Sequence, residues 1–522
     1  MRKYIAIGLL FCCLLQGCSQ LDILPGTDVT GVGDGQESLL EKPILDYDVP
    51  VSTPNIAVNQ MGYLTNHKKV AVFKGKELPE VFSVCDKETK RVVYSGIVEQ
   101  GNKESTGALQ IGYGDFSDVV QAGEYYIEAP VLGQSYSFFV GKDLYNSVFE
   151  EACRQYYYNR CGITLTEEYA GEHMRSACHA QKAVLREDIS VTLDVSGGWH
   201  QDETGGKDVK SACTVAAMLL LSYDIYEGAF SDEAGIPESG NGIPDILDEV
   251  KFETEWLLKM QNATTGGVYS ALTAYERTAG NYPVAPSIYV EPESLEATAA
   301  YCALLAKFSY IFQAYDPEYA TMCLKAADRA WQHLESHQEE GEKLNHIRFW
   351  AATELYRASG YQKYHAAILE YLKADSYKDY YMEEAMLGCI TYISTQKSVN
   401  MEQCENIIKY MMQSAEEIVW NAKQSAYLAA GNEEQTNQKE LLQQMFVLNI
   451  VNYVITNLEY ETVIYDHIHY FMGRNAGGIS YLDDVGVNNY KNIDINMGIM
   501  KQIDLDSKLV FILSKTIADG YS

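Results

Sequence analysis

The residue whose type and place point most directly to a chemistry is Cys18. Arg2 and Lys3 precede an apolar run from Ile5 to Leu15. That run is too short to span a bilayer as a mature helix and has the pattern of a secretory signal. Leu15-Gln16-Gly17-Cys18 then has the form of a bacterial lipoprotein cleavage box. Cleavage there makes Cys18 the N-terminus, with its thiol available for acylation. The alternative is a plain signal peptide with an incidental cysteine. Residues 19–54 combine GTDVTGVGDGQ with an acidic, proline-containing stretch and little apolar periodicity, which reads as a tether. Of 12 cysteines, Cys12 and Cys13 leave with the signal and Cys18 carries lipid, so an odd number remains at wide spacing. This is not a disulfide framework. Cys213, Cys302 and Cys323 fall inside helical patterns and are expected in the core. The 40 tyrosines are a second chemical signal, since aromatic faces either stack on sugar rings or pack a helical interior.

The elements that must position such groups divide at about residue 143. At 522 residues two domains are expected. An apolar fraction of 47% and a mean hydropathy of −0.20 describe a chain with a large core. A net charge of −32 argues against nucleic acid and anionic lipid as partners, and leaves a neutral polysaccharide admissible. A monomer held to a membrane only by its N-terminal lipid is expected. Between residues 55 and 142, short β-prone runs alternate with turn residues at sandwich-like spacing. They are Val70 to Phe73, Val81 to Val84, Val92 to Tyr94, Tyr125 to Ile127 and Tyr136 to Val140. From residue 143 to 522 the period becomes helical. Ile246, Val250, Leu257 and Met260 share one face, as do Leu295, Cys302, Leu305, Phe308 and Phe312, and Leu324, Ala327, Trp331 and Leu334. Further helices are expected around Trp350 to Ala358, Tyr364 to Leu372, Asn406 to Ala422 and Leu441 to Asn457. About a dozen helices with almost no strand between them exclude a βα barrel and leave a helical bundle or an (α/α) barrel.

Several segments resemble family 9 glycoside hydrolases, a group containing many bacterial endoglucanases. Asn59-Gln60-Met61-Gly62-Tyr63 and Asp115-Phe116-Ser117-Asp118 are similar to hallmarks of that family's immunoglobulin-like N-terminal domain. Tyr156 to Gly162, Ala177-Cys178-His179, Gly197-Gly198-Trp199-His200, Ser239 to Glu249, Phe349 to Gly360 and Met472-Gly473-Arg474-Asn475 follow in family order. The run Ser239 to Glu249 is the most specific. The resemblance covers about 460 residues of the sequence and implies a multidomain fold, an immunoglobulin-like β-sandwich followed by an all-α (α/α)6 barrel.

The resemblance also sets a chemical test. Inverting hydrolysis needs one carboxylic acid on the leaving oxygen and one carboxylate activating water on the opposite face. The family's base loop reads Gly-Gly-Trp-His-Asp-Ala-Gly-Asp, with the last aspartate as base. Here it reads Gly197-Gly198-Trp199-His200-Gln201-Asp202-Glu203-Thr204. Gln201 and Thr204 replace the two aspartates, and Thr204 takes the base position. Asp202 and Glu203 lie between them, either as a displaced base or as solvated loop acids. Trp199 and His200 are expected to touch substrate. The family acid is a glutamate after asparagine near the C-terminus, but no glutamate follows Glu461. Asn496-Met497 is the nearest echo, with Met497 in the acid's place. Asp494, Asp504 and Asp506 are poor substitutes.

The resemblance further implies metal sites. Cys161, Cys178 and His179 match three of the four ligands of a structural zinc found in some relatives. The fourth would fall at Gly205-Gly206, so His200 or His173 must complete the set, or the cysteines are core residues. Calcium sites are common in the family, but no ligand set for calcium is specific here. Two functions stand open: a hydrolase of β-1,4-glucan or a related plant polysaccharide with weak or altered activity, and a non-catalytic cell-surface protein that binds such polysaccharides.

Overall fold

The computed structural model describes residues 53–521 apart from 104–106, 108, 203, 280–281, 338–340, 374–382, 431–437, 483–485 and 489–498. The signal, Cys18 and most of the tether lie outside the described residues, as do Glu203, Asp494 and Met497.

The N-terminal strands form two sheets. β1 (Ile56–Ala57), β3 (Val70–Gly75), β7 (Gln110–Asp115) and β6 (Glu99–Gln100) make one, in that order. The other runs β2 (Gly62–Leu64), β10 (Phe138–Gly141), β8 (Gly123–Ala129), β4 (Val81–Asp86) and β5 (Val92–Ile97), with β9 (Gly133–Gln134) on β8. β2 runs parallel to β10, while the remaining pairs are antiparallel. The period-2 alternation sends Phe73, Phe82, Val84, Ile127, Phe138 and Val140 inward, where they close on Tyr63 and Phe116.

The helical part begins with α1 (Asn146–Tyr158) and the short α2 (Glu167–Ala170). An inner ring comprises α3 (Val209–Ile225), α5 (Leu295–Phe312), α7 (Glu342–Ser359), α9 (Glu383–Ser394), α11 (Gln438–Val454) and α13 (Ile499–Tyr521). Outside it lie α4 (Asp245–Lys259), α6 (Pro317–Ser336), α8 (Gln362–Lys373), α10 (Met401–Gln424) and α12 (Leu458–Phe471). α13 packs against both α11 and α3, which closes the ring. The division follows from sequence. α3 and α5 are apolar around nearly the whole circumference and are buried along most of their length. α6 buries Ala320, Cys323, Ala327, Trp331 and Leu334 at three- and four-residue intervals and leaves its other face to water. Asp208, Ser294 and Asp316 cap α3, α5 and α6 by accepting from Ser211 N, Ala297 N and Tyr319 N, as residues of their type do at an N-cap.

The expectation of almost no strand among the helices needs correction. A five-stranded sheet sits beside the ring, ordered β12 (Thr192–Leu193), β11 (Ala183–Leu185), β15 (Tyr282–Val290), β14 (Ala271–Ala279) and β13 (Lys207–Asp208). Its long hairpin was legible. Leu272 and Ala274, then Ile288 and Val290, alternate with polar residues across an Ala-Gly-Asn turn sequence.

Two of the motifs meet at the seam between sandwich and barrel. Asn59 Oδ1 accepts from Met61 N and Gly62 N at 2.9 and 3.0 Å, while Asn59 Nδ2 lies 3.0 Å from His469 Nδ1. Gln60 N donates to Met472 O at 2.9 Å. Arg474 is fully buried there, with Nη2 on Asp466 Oδ1 at 2.7 Å and Nη1 on Val70 O at 3.4 Å. Removing one partner of a buried ion pair leaves the other charge uncompensated. Arg474→Ala is therefore expected to cost about 3 kcal/mol of stability and to lower the thermal unfolding midpoint, measured by calorimetry against the parent chain.

Candidate active site and metal centre

The loop between residues 197 and 208 enters the site at the N-terminal end of α3. It is held against the chain that leaves α1 by paired backbone. Cys161 N donates to Gly198 O at 2.7 Å, His200 N donates to Asn159 O at 2.8 Å, and Arg160 and Trp199 form an antiparallel bridge. Gly198 permits this close approach: its φ is +71°, and a Cβ would lie 2.8 Å from the Trp256 ring.

Two buried carboxylates of α4 anchor the loop from beneath. Glu253 Oε2 accepts from Trp199 N at 2.7 Å, and Glu249 Oε2 accepts from Trp199 Nε1 at 3.4 Å. Glu249 also pairs with Arg160, which is 2% exposed and reaches Glu238 as well. Burial pushes the Glu249 carboxyl up against the opposing pull of Arg160. Burial also raises the Glu253 carboxyl to about 8, despite Lys207 and the Trp199 N–H. Lys207 is itself buried, donates to Gly197 O and lies 5.1 Å from the centre of the Trp256 ring. Composition did not single out these acids, yet a periodicity signal was present. Glu253 stands at the helical repeat between Val250 and Leu257, on the face that turns inward. The motif Ser239 to Glu249 aims that helix. Ser239 Oγ donates to Asp245 Oδ2 at 2.8 Å, and Asn241 Nδ2 donates to Asp248 Oδ2 at 3.0 Å, which together fold the turn onto the first residues of α4.

Within the loop the substituted residues hold one another. Gln201 is 6% exposed; its Nε2 donates to Asp208 O at 3.0 Å and its Oε1 accepts from Asp208 N at 2.7 Å. Asp202 Oδ1 accepts from Thr204 N, Thr204 Oγ1 and Gly206 N, each at 2.8 Å. Partial burial opposes the charge on Asp202. Hydrogen bonds from the Thr204 hydroxyl and from the N–H groups of Gly206, Thr204 and Gly205 outweigh it and hold the carboxyl below its usual range. Asp202 is exposed and ionised, and its hydrogen bonds fall on one oxygen. Trp199, expected to touch substrate, is 1% exposed and packs on Tyr156 at 4.9 Å. It supports the loop and offers no face to a sugar. Asp504 is bound to Lys508 at 2.7 Å, and Asp506 lies close enough to Cys153 and Tyr156 to help raise both.

The structure brings a fourth group to Cys161, Cys178 and His179, and it is His200. The four ligand atoms lie within 4.8 Å of one another. Cys178 Sγ is 3.2 Å from His200 Nε2, and Cys161 Sγ is 3.8 Å from His179 Nδ1. Two sulfurs and two ring nitrogens at such spacings fit a tetrahedral ion with metal–sulfur and metal–nitrogen distances of about 2.3 and 2.0 Å. His173 stacks on Tyr158 at 4.3 Å and is not part of the cluster. Gly205, where a fourth histidine was expected, has φ +88°, and a Cβ there would come within 2.3 Å of the His179 ring. With the ring in that place, the position cannot carry a side chain. The Cys161 thiol, shared with Cys178, is raised while that of Cys178 is lowered, since one proton between two sulfurs serves both. Arg175 Nη1 donates to Cys178 Sγ at 3.1 Å and its Nη2 to the carbonyls of Tyr158 and Arg160, which fixes the turn carrying Cys178.

A β-sandwich is joined here to a ring of paired helices, with a loop at the N-terminal end of α3 above two buried acids of α4. Residues 145–501 match the model of Glycosyl hydrolase family 9, and residues 51–134 match the Cellulase N-terminal ig-like domain. The chain belongs to glycosyl hydrolase family 9. It is 28% identical over 481 residues to a cellodextrinase of Butyrivibrio fibrisolvens, covering 84% of this chain and 86% of that one. In structure it is similar to a metagenome-derived family 9 endoglucanase, with a TM-score of 0.78 at 24% identity over 89% of this chain and 99% of that one. A Zn-binding triple mutant of the family 9 endoglucanase J30 aligns with a TM-score of 0.74 at 23% identity, over 87% and 99% of the two chains.

Glu253 makes a testable pH dependence. Its carboxyl is raised from an ordinary value of 4.5 to about 8 in the folded chain, so the folded state holds the proton more tightly than the unfolded state. The stability it contributes is present below the unfolded value and is lost as pH rises toward the folded one. Glu253→Gln keeps an acceptor for Trp199 N and removes the titration. Unfolding measured at intervals between about pH 5 and 8 should therefore show the parent losing stability relative to the variant as pH increases.

Proposed function

We propose that this chain hydrolyses β-1,4-linked glucan of the cellulose type, or a related plant polysaccharide, more slowly than relatives that keep both family carboxylates. The observation that carries the reading is Asp202: an exposed carboxylate within the base loop, held in place and below its usual range by hydrogen bonds from Thr204 and Gly206. Family membership and likeness to a cellodextrinase support the substrate class. The slowness follows from the acid. The sequence has no glutamate after Glu461, and Asp504 is committed to Lys508. A missing general acid forfeits roughly 10²–10⁴-fold in rate.

A second reading, glucan binding without cleavage, is favoured by Gln201 and Thr204, whose polar groups are consumed inside the loop. Reducing ends released from soluble β-glucan separate the two. Hydrolysis that falls on the order of 10²-fold in Asp202→Asn supports the first. No release, together with retardation of the protein in a glucan-containing gel, supports the second.

Zinc is the metal that the donor set of Cys161, Cys178, His179 and His200 fits. When bound it supplies a closed structural crosslink between the chain after α1 and the base loop, with no open position for a reacting water. Elemental analysis of the purified protein should find one zinc per chain, and His200→Ala should lose it to a chelator concentration that the parent withstands. Absence of metal from the parent leaves the two cysteines as core residues. The protein works outside the cell as a monomer, tethered through residues 19–54 and lipid on Cys18 after removal of the signal.

A further inference from the structure

The sheet beside the barrel has an inner face that joins the core and an outer face that does not. Leu272, Ala274, Ile288 and Val290 point inward and are buried. Thr273, Tyr275 and Tyr289 alternate with them and share the outer face with Glu291. This face is continuous with the base loop, because Asp208 and Lys207 pair in register with Ala271 and Leu272.

Arg186 organises the outer face. Its Nη2 donates to Glu291 Oε1 at 2.7 Å, to Thr273 Oγ1 at 3.0 Å and to Tyr275 OH at 3.4 Å, while its Nε reaches both Glu291 oxygens at 3.2 Å. The guanidinium lies 4.0 Å from the centre of the Tyr289 ring and 5.6 Å from that of Tyr275. Tyr275 meets Tyr289 edge-on at 6.0 Å. Tyr275 is thus held in orientation by two contacts, yet it remains 52% exposed. A ring fixed in place and half open can bury its face against a ligand at little ordering cost. Glu291 cancels the charge of Arg186, so the face favours a neutral ligand with flat apolar ring surfaces and hydroxyl edges.

We propose that Tyr275, backed by Arg186 and Tyr289, is a stacking platform for a pyranose unit of a neutral β-linked glucan chain lying beyond the base loop. This rests on the glucan reading of the site. Ala271 and Tyr275 are four residues apart along β14, roughly 13 Å. A chain longer than a disaccharide is the ligand expected to extend from the base loop to the platform.

Calorimetric titration with cellobiose and with cellohexaose tests this on the full protein. The parent should bind cellohexaose more tightly than cellobiose. Tyr275→Ala should weaken cellohexaose about 5-fold, the scale of one aromatic contact, and leave cellobiose unchanged. Tyr275→Phe should keep most of the cellohexaose affinity, because it keeps the ring and loses only the hydroxyl that meets Arg186. Unchanged cellohexaose affinity in Tyr275→Ala overturns the platform alone. A parent that binds neither oligosaccharide overturns the glucan reading, and the platform with it.

Discussion

The contact on which the site depends is the hydrogen bond from Trp199 N to the buried carboxylate of Glu253. Burial raises the Glu253 carboxyl to about 8, so a fixed donor beside it matters. Here that donor is the backbone of the base loop itself, with Lys207 nearby. Glu249 repeats the arrangement one turn earlier, receiving the indole of the same tryptophan and the guanidinium of Arg160. The loop is thus fastened to α4 from below, and by backbone pairing to the chain leaving α1 at its side. Everything chemical in the loop, from the sulfur and nitrogen cluster to Asp202, takes its position from these fastenings.

This explains why the loop keeps its shape after losing the family's aspartates. Gln201 substitutes two neutral hydrogen bonds to Asp208 for whatever an acid would do there, and Thr204 turns its hydroxyl onto Asp202. Neither change leaves a buried polar group unmatched, so the scaffold has no thermodynamic reason to resist them. The same economy appears at the metal cluster. Gly205 leaves room for the His179 ring, and His200, two residues before Asp202, comes up against Cys178 in its stead. Structure and catalysis are separable in this loop because different atoms serve them.

Much of the architecture was legible in the sequence. The strands at Val70, Val81, Val92 and Tyr125 and the helices around Val250, Leu305 and Trp331 follow from periods of 2 and 3.6, because those periods state which residues meet the core. The five-stranded sheet was hidden among helices since its strands are short except for one hairpin. The site was partly legible. Cys161, Cys178 and His179 could be named from type and order, but the fourth partner could not, because His200 reaches the cluster through backbone pairing of Trp199 with Arg160 and of His200 with Asn159, residues distant in sequence. The burial of Trp199 was hidden for a related reason: sequence shows an aromatic residue in a loop but not the carboxylates of α4 that hold its backbone and indole. Arg186 and Tyr275 carried no motif at all, and their association appears only once β14 and β15 are paired.

Residues 197–202 of the base loop are a fixed part of the barrel, held by buried acids, and not a mobile segment awaiting substrate. Hydrogen exchange of peptides covering residues 197–208 in the ligand-free protein tests it directly. Protection of the Trp199 and His200 amides comparable to that within α1 agrees with the account. Exchange of those amides at the rate of an exposed loop would contradict it.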